Sequence, residues 1–595
     1  MAELAPFITR VRLCFRYRRL LSSRNAPAKN ANLSYIASPK STTVQPETST
    51  TSDSLPTPSS GLVGEVRQSY RQKFYDYVRT DPGFKKSVLT SSTNELSMLK
   101  EQLRKLFFVR SATVQGHVSR EIDTVLKGRL DNQTAAALLT CSLDEALSIM
   151  DLWISVSDLD KRVPRCFKVF LDKLAAHSER LTVPQTLQIL FYCAIYRKLT
   201  SAVKEKLRQT VFENVASLDH LQLELVCFAF YVLKVDCRDF PKFLSTVAER
   251  APDVGPDLKL TITSLKFLRQ NNYLDVELFR KLSTKLPKVD LETEVSSVEC
   301  CHLLQSFVSA RFYDEDLFQR IQKKVLKDIQ TQTEFYGEYS TDELVQMHPS
   351  QRLRIKDLAN FLYSLATINH EIEEVGLVAS DLKNRLEGGE YNGMPYFLVQ
   401  SVYALSLQGI YDVELLAAVF SEETVWKLVQ DGWKDAQRWL YCLYKNCQIE
   451  FPEGVKVAEV SEARLQNGLP KDFFNIGFEM SCRDESLIEN VRKDLAKEYG
   501  PDAVSFRRQI PHVEVCGFDV RVSSAANLLA RLSKVKSTSD VDSKSVSDKV
   551  YFGVLDPGWT SAVNVQRPLG TVILKKRLLE LSGWKTRIRN TAAIK

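Results

Sequence analysis

The sequence lacks the paired cysteines that disulfide scaffolds and most structural zinc sites require. It has 12 cysteines in 595 residues, but no two of them form a CxxC pair. Most lie inside apolar helical patterns, where a reduced cysteine packs as a small hydrophobic side chain. The adjacent cysteines of "ECCH" at 299–302 have no second ligand pair at a suitable spacing. The sequence therefore predicts a reducing compartment, no metal site and no cofactor.

Long apolar runs and kinase motifs are absent as well. No run reaches the roughly 18–20 apolar residues that a membrane-spanning helix needs. The best candidate, at 225–233, is short and follows Glu224. The sequence has no glycine-rich phosphate loop and no HRD or DFG motif, which argues against a protein kinase. Neither a membrane span nor a kinase fold is expected.

Acidic residues are scarce only at the two ends of the chain. Residues 1–46 carry eight Lys or Arg and one acid, and residues 565–595 carry the same numbers. The whole chain has a net charge of +7, so the body between the ends is mildly acidic. Basic contacts with an anionic partner are therefore expected at the ends of the chain.

The basic N-terminal segment is typical of a mitochondrial presequence. Residues 1–35 mix arginines with Leu, Phe and Val and contain no long apolar h-region, unlike a secretory signal. Residues 36–60 are dominated by Ser, Thr and Pro, which predicts a disordered linker. The predicted location is the mitochondrial matrix. The alternative is a basic disordered tail that binds RNA or membrane nonspecifically.

After an N-terminal helical region at 61–143, two helical patterns alternate from residue 144 to 450. Their spacing is about 38 residues, except where a polar insert at 331–351 lengthens it. The second pattern begins near Arg162, Leu199, Cys237, Tyr273, Phe312, Glu371 and Ile410. One helical hairpin cannot bury its own apolar face, so neighbours stack into an α-solenoid. Such an array suits an extended peptide or single-stranded RNA, and a scaffold that binds only protein is the alternative.

The pattern changes after a connector at 451–482, and residues 483–595 predict a small α/β module. A helix that ends near Gly500 precedes three runs of alternating β-branched and aromatic residues, "AVSFRRQI", "HVEVCGFDVRV" and "KVYFGVLD". An amphipathic helix over "LGTVILKKRLLELSG" and a last strand, "WKTRIR", complete the module.

Two stretches resemble a known family. The segment "DLANFLYSLATIN" at 357–369 is similar to the helical units of FAST kinase-domain and related octotricopeptide-type proteins. The stretch "RPLGTVILKKRLLELSGW" at 567–584 resembles the helix motif R-x-x-G-x-x-x-L-K-x-R-x-L-x-x-x-G-W of the RAP domain, which ends FAST kinase-domain proteins. The resemblance implies a mainly α protein, with an α-solenoid followed by a small RAP-like, restriction-endonuclease-like α/β domain that binds RNA.

Whether this module could act as a nuclease depends on its carboxylates. Cleavage needs two or three convergent carboxylates that hold Mg²⁺. Asp519 and Asp556 correspond to the two acids of the family pattern and are the catalytic candidates, with Glu514 nearby in sequence. The family pattern also places a Glu where this chain has Val554. Binding without cleavage is therefore predicted, and the chain is not expected to be an enzyme.

The cations of the module are the candidate RNA-binding residues. If Leu574, Leu578 and Leu581 pack on the sheet, the cations between them lie largely on the opposite surface, where they contact phosphates without reading sequence. Trp584 either stacks on a base or anchors the core. The candidate set is Arg567, Lys575, Lys576, Arg577, Trp584, Lys585, Arg587 and Arg589.

The resemblance implies a mitochondrial RNA-binding protein that acts in the processing, stability or translation of organellar transcripts. Its partner would be mitochondrial mRNA or rRNA, and no DNA is expected. The first alternative is a structural constituent or assembly factor of the mitochondrial ribosome, which binds rRNA and mitochondrial ribosomal proteins. The second alternative is an RNA endonuclease.

Overall fold

The chain forms two compact units in the computed structural model. The first unit comprises residues 1–236 with 347–351, and the second comprises 237–346 with 352–595. The described residues are 120–156, 163–252, 258–293, 295–338, 353–467, 485–507, 509–513, 517–522, 548–555 and 560–590, with Leu99, Leu103, Leu469 and Val515. The predicted presequence and linker lie outside these residues and stay predictions.

Helices make up nearly all of the described part of the first unit. They are α1 Arg120–Thr140, α2 Leu143–Val156, α3 Arg165–Ala176, α4 Val183–Tyr196, α5 Ser201–Asn214 and α6 His220–Leu233. Aromatic side chains fill their core, and the rings of Phe167 on α3 and Tyr196 on α4 lie 4.4 Å apart.

The second unit continues with helices in pairs. They are α7 Pro241–Arg250, α8 Lys259–Gln270, α9 Val276–Lys285, α10 Ser297–Ser309, α11 Glu315–Glu338, α12 Ile355–Thr367, α13 Val375–Glu387 and α14 Pro395–Leu407. Further helices follow, α15 Val413–Val419, α16 Glu422–Gln430, α17 Lys434–Glu450, α18 Pro452–Lys456, α19 Glu462–Asn467 and α20 Glu485–Tyr499. The paired helices agree with a helical repeat array, whose repeat length stays a prediction. Residues 331–338 of the predicted polar insert continue α11 as helix.

The same capping device begins three of these helices. Thr182, Asp219 and Ser296 each accept a hydrogen bond from the backbone N–H three residues later, where a Gln or Glu side chain bonds back to the cap. Each pair satisfies two donors that a helix N-terminus leaves without an intrahelical partner. The residue types at these positions therefore fix where the helices start.

A left-handed residue ends the first helix of successive hairpins. These residues are Arg197 and Lys234 in the first unit and Asn272, Arg311, Asn369 and Gly409 in the second, with φ from 49° to 78°. The following amide donates back into the helix, as His370 N does to Leu365 O at 2.9 Å. This geometry closes a helix end tightly. It leaves the carbonyls of the turns available to neighbouring segments.

Long cations on the second helices reach carbonyls at the C-terminal end of the preceding second helix. In the first unit, Lys206 Nζ donates to Ala175 O at 2.8 Å, at the end of α3. In the second unit, Lys285 Nζ donates to Pro252 O at 2.8 Å and Arg320 donates to Leu286 O at 3.3 Å. A cation at the C-terminal end of a helix is favoured because the carbonyls there carry partial negative charge. Hairpin therefore joins hairpin through charge-assisted hydrogen bonds as well as apolar packing.

A four-stranded sheet forms the centre of the C-terminal module, residues 483–595. Its strands are β1 Val504–Arg507, β2 Gly517–Val522, β3 Asp548–Leu555 and β4 Lys585–Asn590, in the order β1-β2-β3-β4. The first two pairings are antiparallel, and β3 pairs with β4 in parallel. Helix α21 Gly570–Leu581 connects β3 to β4, as a parallel crossover requires. The mainly helical fold with a small C-terminal α/β module is thus observed.

Helices cover both faces of the sheet. On one face, Val491 and Leu495 of α20 pack against Phe518, Val520 and neighbouring strand residues. Side chains alternate along a strand, so Asp519 and Tyr551, which face each other in register, lie on the other face, toward α21. Among the described residues, no helix is both long and apolar enough to cross a membrane.

A buried ion pair offers a test of the packing in the second unit. Arg385 on α13 is fully buried, and its Nε lies 2.6 Å from Asp381 Oδ2. Its terminal nitrogens donate to Leu353 O at 2.8 Å and to Gln332 Oε1 at 3.0 Å. We expect Arg385→Met to lower the free energy of unfolding by about 3–5 kcal/mol, because it leaves the Asp381 carboxylate buried without its cation.

Urea unfolding followed by circular dichroism measures this loss. Arg280→Met is the matched control, since Arg280 forms an exposed pair with Glu277 and such pairs contribute about 0–1 kcal/mol. Equal losses in the two variants would contradict the packing described for Arg385.

Candidate nucleic-acid interface

The segment before α21 lies along the hairpin turns of the second unit. Val563 N donates to Arg311 O at 2.8 Å. The Asn564 side chain accepts from Tyr313 N at 2.9 Å and donates to Tyr313 O at 2.7 Å. Both partners belong to the turn between α10 and α11. The C-terminal module is therefore anchored to the repeat array through backbone groups.

Arg567 extends this contact to the next turn. Its guanidinium donates twice to Asn369 O, at 3.0 Å and 2.6 Å, just beyond α12. The same group lies 4.2 Å from the centre of the Tyr313 ring, a cation–π contact. Asn369 O belongs to a residue with positive φ, so the turn itself presents this carbonyl. Arg567, a candidate phosphate ligand, is thus engaged inside the protein.

Arg577 closes the end of α14 in the same way. It donates to Glu450 Oε1 at 2.9 Å and to Glu450 Oε2 at 3.0 Å, a bidentate pair. It also donates to Leu407 O at 2.8 Å and Ser406 O at 2.9 Å. Glu450 accepts a further hydrogen bond from Tyr411, whose pKa is raised by burial and by the Glu450 charge. Arg577 therefore faces the repeat array, and the prediction that it lies on an open surface opposite the sheet is wrong.

Lys575 is also turned inward. Its side chain is fully buried, and Nζ donates to Val515 O at 2.7 Å and to Gln509 Oε1. The same Nζ lies 4.4 Å from the centre of the Tyr551 ring on β3. The predicted outward orientation of Lys575 is wrong because α21 buries two sides, one against the sheet and one against the repeat array.

The outer side of α21 carries fewer cations than the sequence predicts. Lys576 is 41% exposed, and its Nζ lies 3.9 Å from Glu580 Oε1. Leu581, expected on the sheet, is 61% exposed. Trp584 is half-buried, and whether it contacts a base stays a prediction. Of Lys575, Lys576 and Arg577, Lys576 is therefore the cation on this outer side, and it lies beside an acid of the same helix.

The last strand carries the exposed cations. Lys585 and Arg587 are both exposed, and their register partners on β3 are Val550 and Phe552. Residues in register point to the same face of a sheet, so both cations lie on the face that α20 covers. The Arg587 guanidinium lies 6.0 Å from the centre of the Phe552 ring. The side chain of Arg589 lies outside the described residues.

The carboxylate candidates are not shown together. Asp519 is 3% exposed, on the face of the sheet toward α21. Val554, at the position where the family pattern has Glu, packs with Phe552 in the core against α20. Asp556 and Glu514 lie outside the described residues. The structure therefore describes one of the acids that a metal site would use.

A buried histidine lies beneath Arg567. The Tyr313 hydroxyl and His370 Nδ1 are 3.0 Å apart. Burial lowers the pKa of His370 below 6.5, and the charge of Arg567 lowers it further, against opposing effects from Glu315, Glu373 and Glu371. The neutral imidazole is favoured, which avoids a second positive charge beside the arginine.

A cavity of about 350 Å³ lies beside α21 in the second unit. The side chains around it include Tyr363, Tyr403 and Trp439, with Asp435 and Arg438. From the sequence these aromatic residues are indistinguishable from core residues, because they occur at helical spacing among apolar neighbours. These side chains line a cavity because of how α21 packs against the array, and a local sequence pattern does not predict that packing.

Comparison with known proteins identifies curated relatives but no matching family model. The chain is 20% identical over 496 residues to FAST kinase domain-containing protein 5, mitochondrial, from Mus musculus, covering 79% of this chain and 60% of the relative. It is also 20% identical to the Homo sapiens and Macaca fascicularis proteins of the same name, over 386 and 317 residues. These matches cover 64% and 52% of this chain and 46% and 38% of those relatives.

These relatives confirm the resemblance to FAST kinase domain-containing proteins, and the RAP resemblance of residues 567–584 stays a prediction. The chain covers less than two thirds of the length of each relative. All three are named as mitochondrial proteins, which indicates a mitochondrial protein here. The predicted matrix location is consistent with this.

A glycine at the start of α21 tests the anchoring of the module. A Cβ on Gly570 would lie 1.9 Å from Ala366 O on α12, a backbone atom that cannot move aside easily. We expect Gly570→Ala to lower the free energy of unfolding by about 1–3 kcal/mol, as overpacking does.

Thermal and urea unfolding measure the effect. Gly376→Ala is the matched control, since it also changes a glycine in the first turn of a helix, α13, and its Cβ would meet no atom within 4 Å. The control is expected to be as stable as the parent or more so, because alanine favours helix. A Gly570→Ala protein as stable as the control would contradict the close approach of α21 to α12.

Proposed function

Since the chain is similar to FAST kinase domain-containing proteins, we propose that it binds RNA in mitochondria and acts in the processing, stability or translation of organellar transcripts. The relatives support this proposal through their shared family and location. The array and the C-terminal module together hold a single strand of mRNA or rRNA.

The exposed pair Lys585 and Arg587 is the observation that carries the proposal. Three other cations, Arg567, Lys575 and Arg577, are buried or half-buried and contact carbonyls, an amide or a carboxylate of the protein. Lys585 and Arg587 lie two residues apart on β4, an edge strand, and on one face of the sheet. Exposed cations of this kind attract phosphates and release counterions, without reading the base sequence.

The internal arginines have a supporting part in this function. They connect the module to the turns of the array, so that one strand of RNA can contact both. Removing them is expected to damage folding, whereas removing Lys585 and Arg587 is expected to lower the RNA affinity more than the stability of the protein. The two effects distinguish a cation that contacts RNA from a cation that stabilises the fold.

The salt dependence of RNA binding tests the exposed pair. We expect Lys585→Ala with Arg587→Ala to weaken binding of 12-nucleotide RNA oligomers of every sequence. The slope of log K against log salt should become shallower by about 1.4, the value for two phosphate contacts on a single strand. Fluorescence anisotropy titrations at salt concentrations from about 50 to about 200 mM measure this slope.

The charge-matched control is Lys288→Ala with Lys456→Ala, which removes two exposed lysines elsewhere in the second unit. It is expected to keep the parent slope. The same loss of slope in both double variants would show a nonspecific effect of net charge and would refute the assigned surface.

A role as a constituent or assembly factor of the mitochondrial ribosome is the second candidate. Two large apolar side chains, Trp426 and Trp433, are 54% and 42% exposed, and Val429 between them is 52% exposed. Exposed tryptophans of this kind suit a protein interface.

Sedimentation of mitochondrial lysate separates the two candidates. The RNA-metabolism proposal predicts free or RNase-sensitive protein, away from ribosomal particles. A stable ribosomal constituent would co-sediment with the particles in high salt, and Trp426→Ser with Val429→Ser would release it.

We propose that the module binds RNA without cleaving it. The position of a second acid in the family pattern is held by Val554 in the core, which supports binding over hydrolysis. Incubation of purified protein with labelled RNA and Mg²⁺ should leave the RNA intact. Cleavage that is lost in Asp519→Asn or Asp556→Asn would establish the endonuclease instead.

A further inference from the structure

The cavity beside α21 has aromatic walls from three helices of the array. Tyr363 comes from α12, Tyr403 from α14 and Trp439 from α17. The Trp439 ring lies 5.1 Å from the Tyr363 ring and 6.1 Å from the Tyr403 ring, nearly parallel to the latter at 13°. A site walled by flat rings selects a planar ligand, since stacking needs two π-faces.

The remaining wall is held firmly by the C-terminal module. His512 is buried, and its Nε2 lies 3.0 Å from Asn446 Oδ1 on α17. Cys442 Sγ donates to His512 O at 3.2 Å. Thr571 and Leu574 of α21 complete this side. Because the hydrogen bonds fix the wall, the cavity is formed before any ligand arrives.

Polar groups of both kinds lie at the cavity. Asp435 and Arg438 occupy α17 three residues apart, a spacing that places side chains on the same side of a helix. A carboxylate only accepts hydrogen bonds, and a guanidinium only donates them. A ligand that fits the pair is flat and carries donors and acceptors on its edge.

The size and chemistry fit one nucleobase. The volume of about 350 Å³ lies at the lower end of the roughly 300–1,000 Å³ found for small-molecule sites. We propose that this cavity binds a single unstacked base of single-stranded RNA, stacked on Trp439, with Asp435 and Arg438 at its polar edge. This inference rests on the proposed RNA-binding function and adds a base-contacting site separate from Lys585 and Arg587.

Asp435 gives the site a preference among pyrimidines of equal size. The carboxylate accepts a hydrogen bond from the amino group on N4 of cytosine. Uracil has a carbonyl oxygen at the same position, which the carboxylate repels. The site therefore binds cytosine more tightly than uracil.

The test compares two tryptophans of one protein. Trp439→Leu is expected to weaken binding of the RNA oligomer rC12 about tenfold or more, as loss of a stacked base does. Its salt slope should stay at the parent value, because no charge is removed. Trp426→Leu is the matched control, since Trp426 is exposed and does not line the cavity, and it should bind as the parent does.

Two further variants keep the test decisive if Trp439→Leu fails to fold. Trp439→Phe retains an aromatic face and should keep most of the affinity. Asp435→Asn, at an exposed position, should reduce the preference for rC12 over rU12. Thermal unfolding of each variant separates a folding defect from a binding defect.

The outcomes divide this inference from the proposed function. Parent-like binding by folded Trp439→Leu, with binding still reduced by the Lys585 and Arg587 substitutions, overturns the base site and leaves RNA binding in place. Equal affinity of the parent for rC12 and rU12 overturns the role of Asp435. Free CMP that binds as tightly as rC12 overturns RNA as the ligand. No RNA binding by the parent overturns both proposals.

Discussion

The contact between Arg577 and the repeat array determines where the C-terminal module lies. A guanidinium that is largely removed from water needs acceptors for its donors, and here they come from Glu450 and from the last carbonyls of α14. Arg567 does the same for the turn after α12. Because both arginines satisfy helix ends of the array, separating the module from it would break the charge-assisted hydrogen bonds at both turns. The cavity and its fixed wall exist as a result of this contact.

The sequence predicts the elements of this fold better than the faces they bury. Capping residues, left-handed turns and alternating strands act locally, so the paired helices, the four strands and α21 follow from short stretches. The predicted orientation of α21 is wrong because the pattern of Leu574, Leu578 and Leu581 assumes one partner, the sheet. The second partner is the array, whose Glu450 lies more than a hundred residues earlier in the chain. Lys575 is consequently buried and Leu581 exposed, the reverse of the expectation.

The candidate site, too, could be predicted from the sequence only in part. The scarcity of acids identifies the basic segment, and the structure places Lys585 and Arg587 of this segment at exposed positions on the last strand. Tyr363, Tyr403 and Trp439 were not identified, since aromatic residues at helical spacing signal a core in most helices. What distinguishes them is the cavity that α21 and the His512 loop enclose. Such a space arises from the shape of several elements at once and has no counterpart in any one stretch of sequence.

The row of turn carbonyls has a consequence for how this chain can change in length. Segment 563–577 contacts the turns at Arg311, Asn369 and Leu407 in succession, and each acceptor belongs to a different hairpin. Adding or deleting a hairpin between residues 311 and 450 would move the later acceptors by the length of one hairpin. Arg567 and Arg577 would then lose their hydrogen-bond acceptors. These contacts do not restrict the number of hairpins before residue 311. Gain or loss of hairpins is therefore compatible with these contacts only in the N-terminal part of the array. The contacts of segment 563–577 fix the number of hairpins in the C-terminal part.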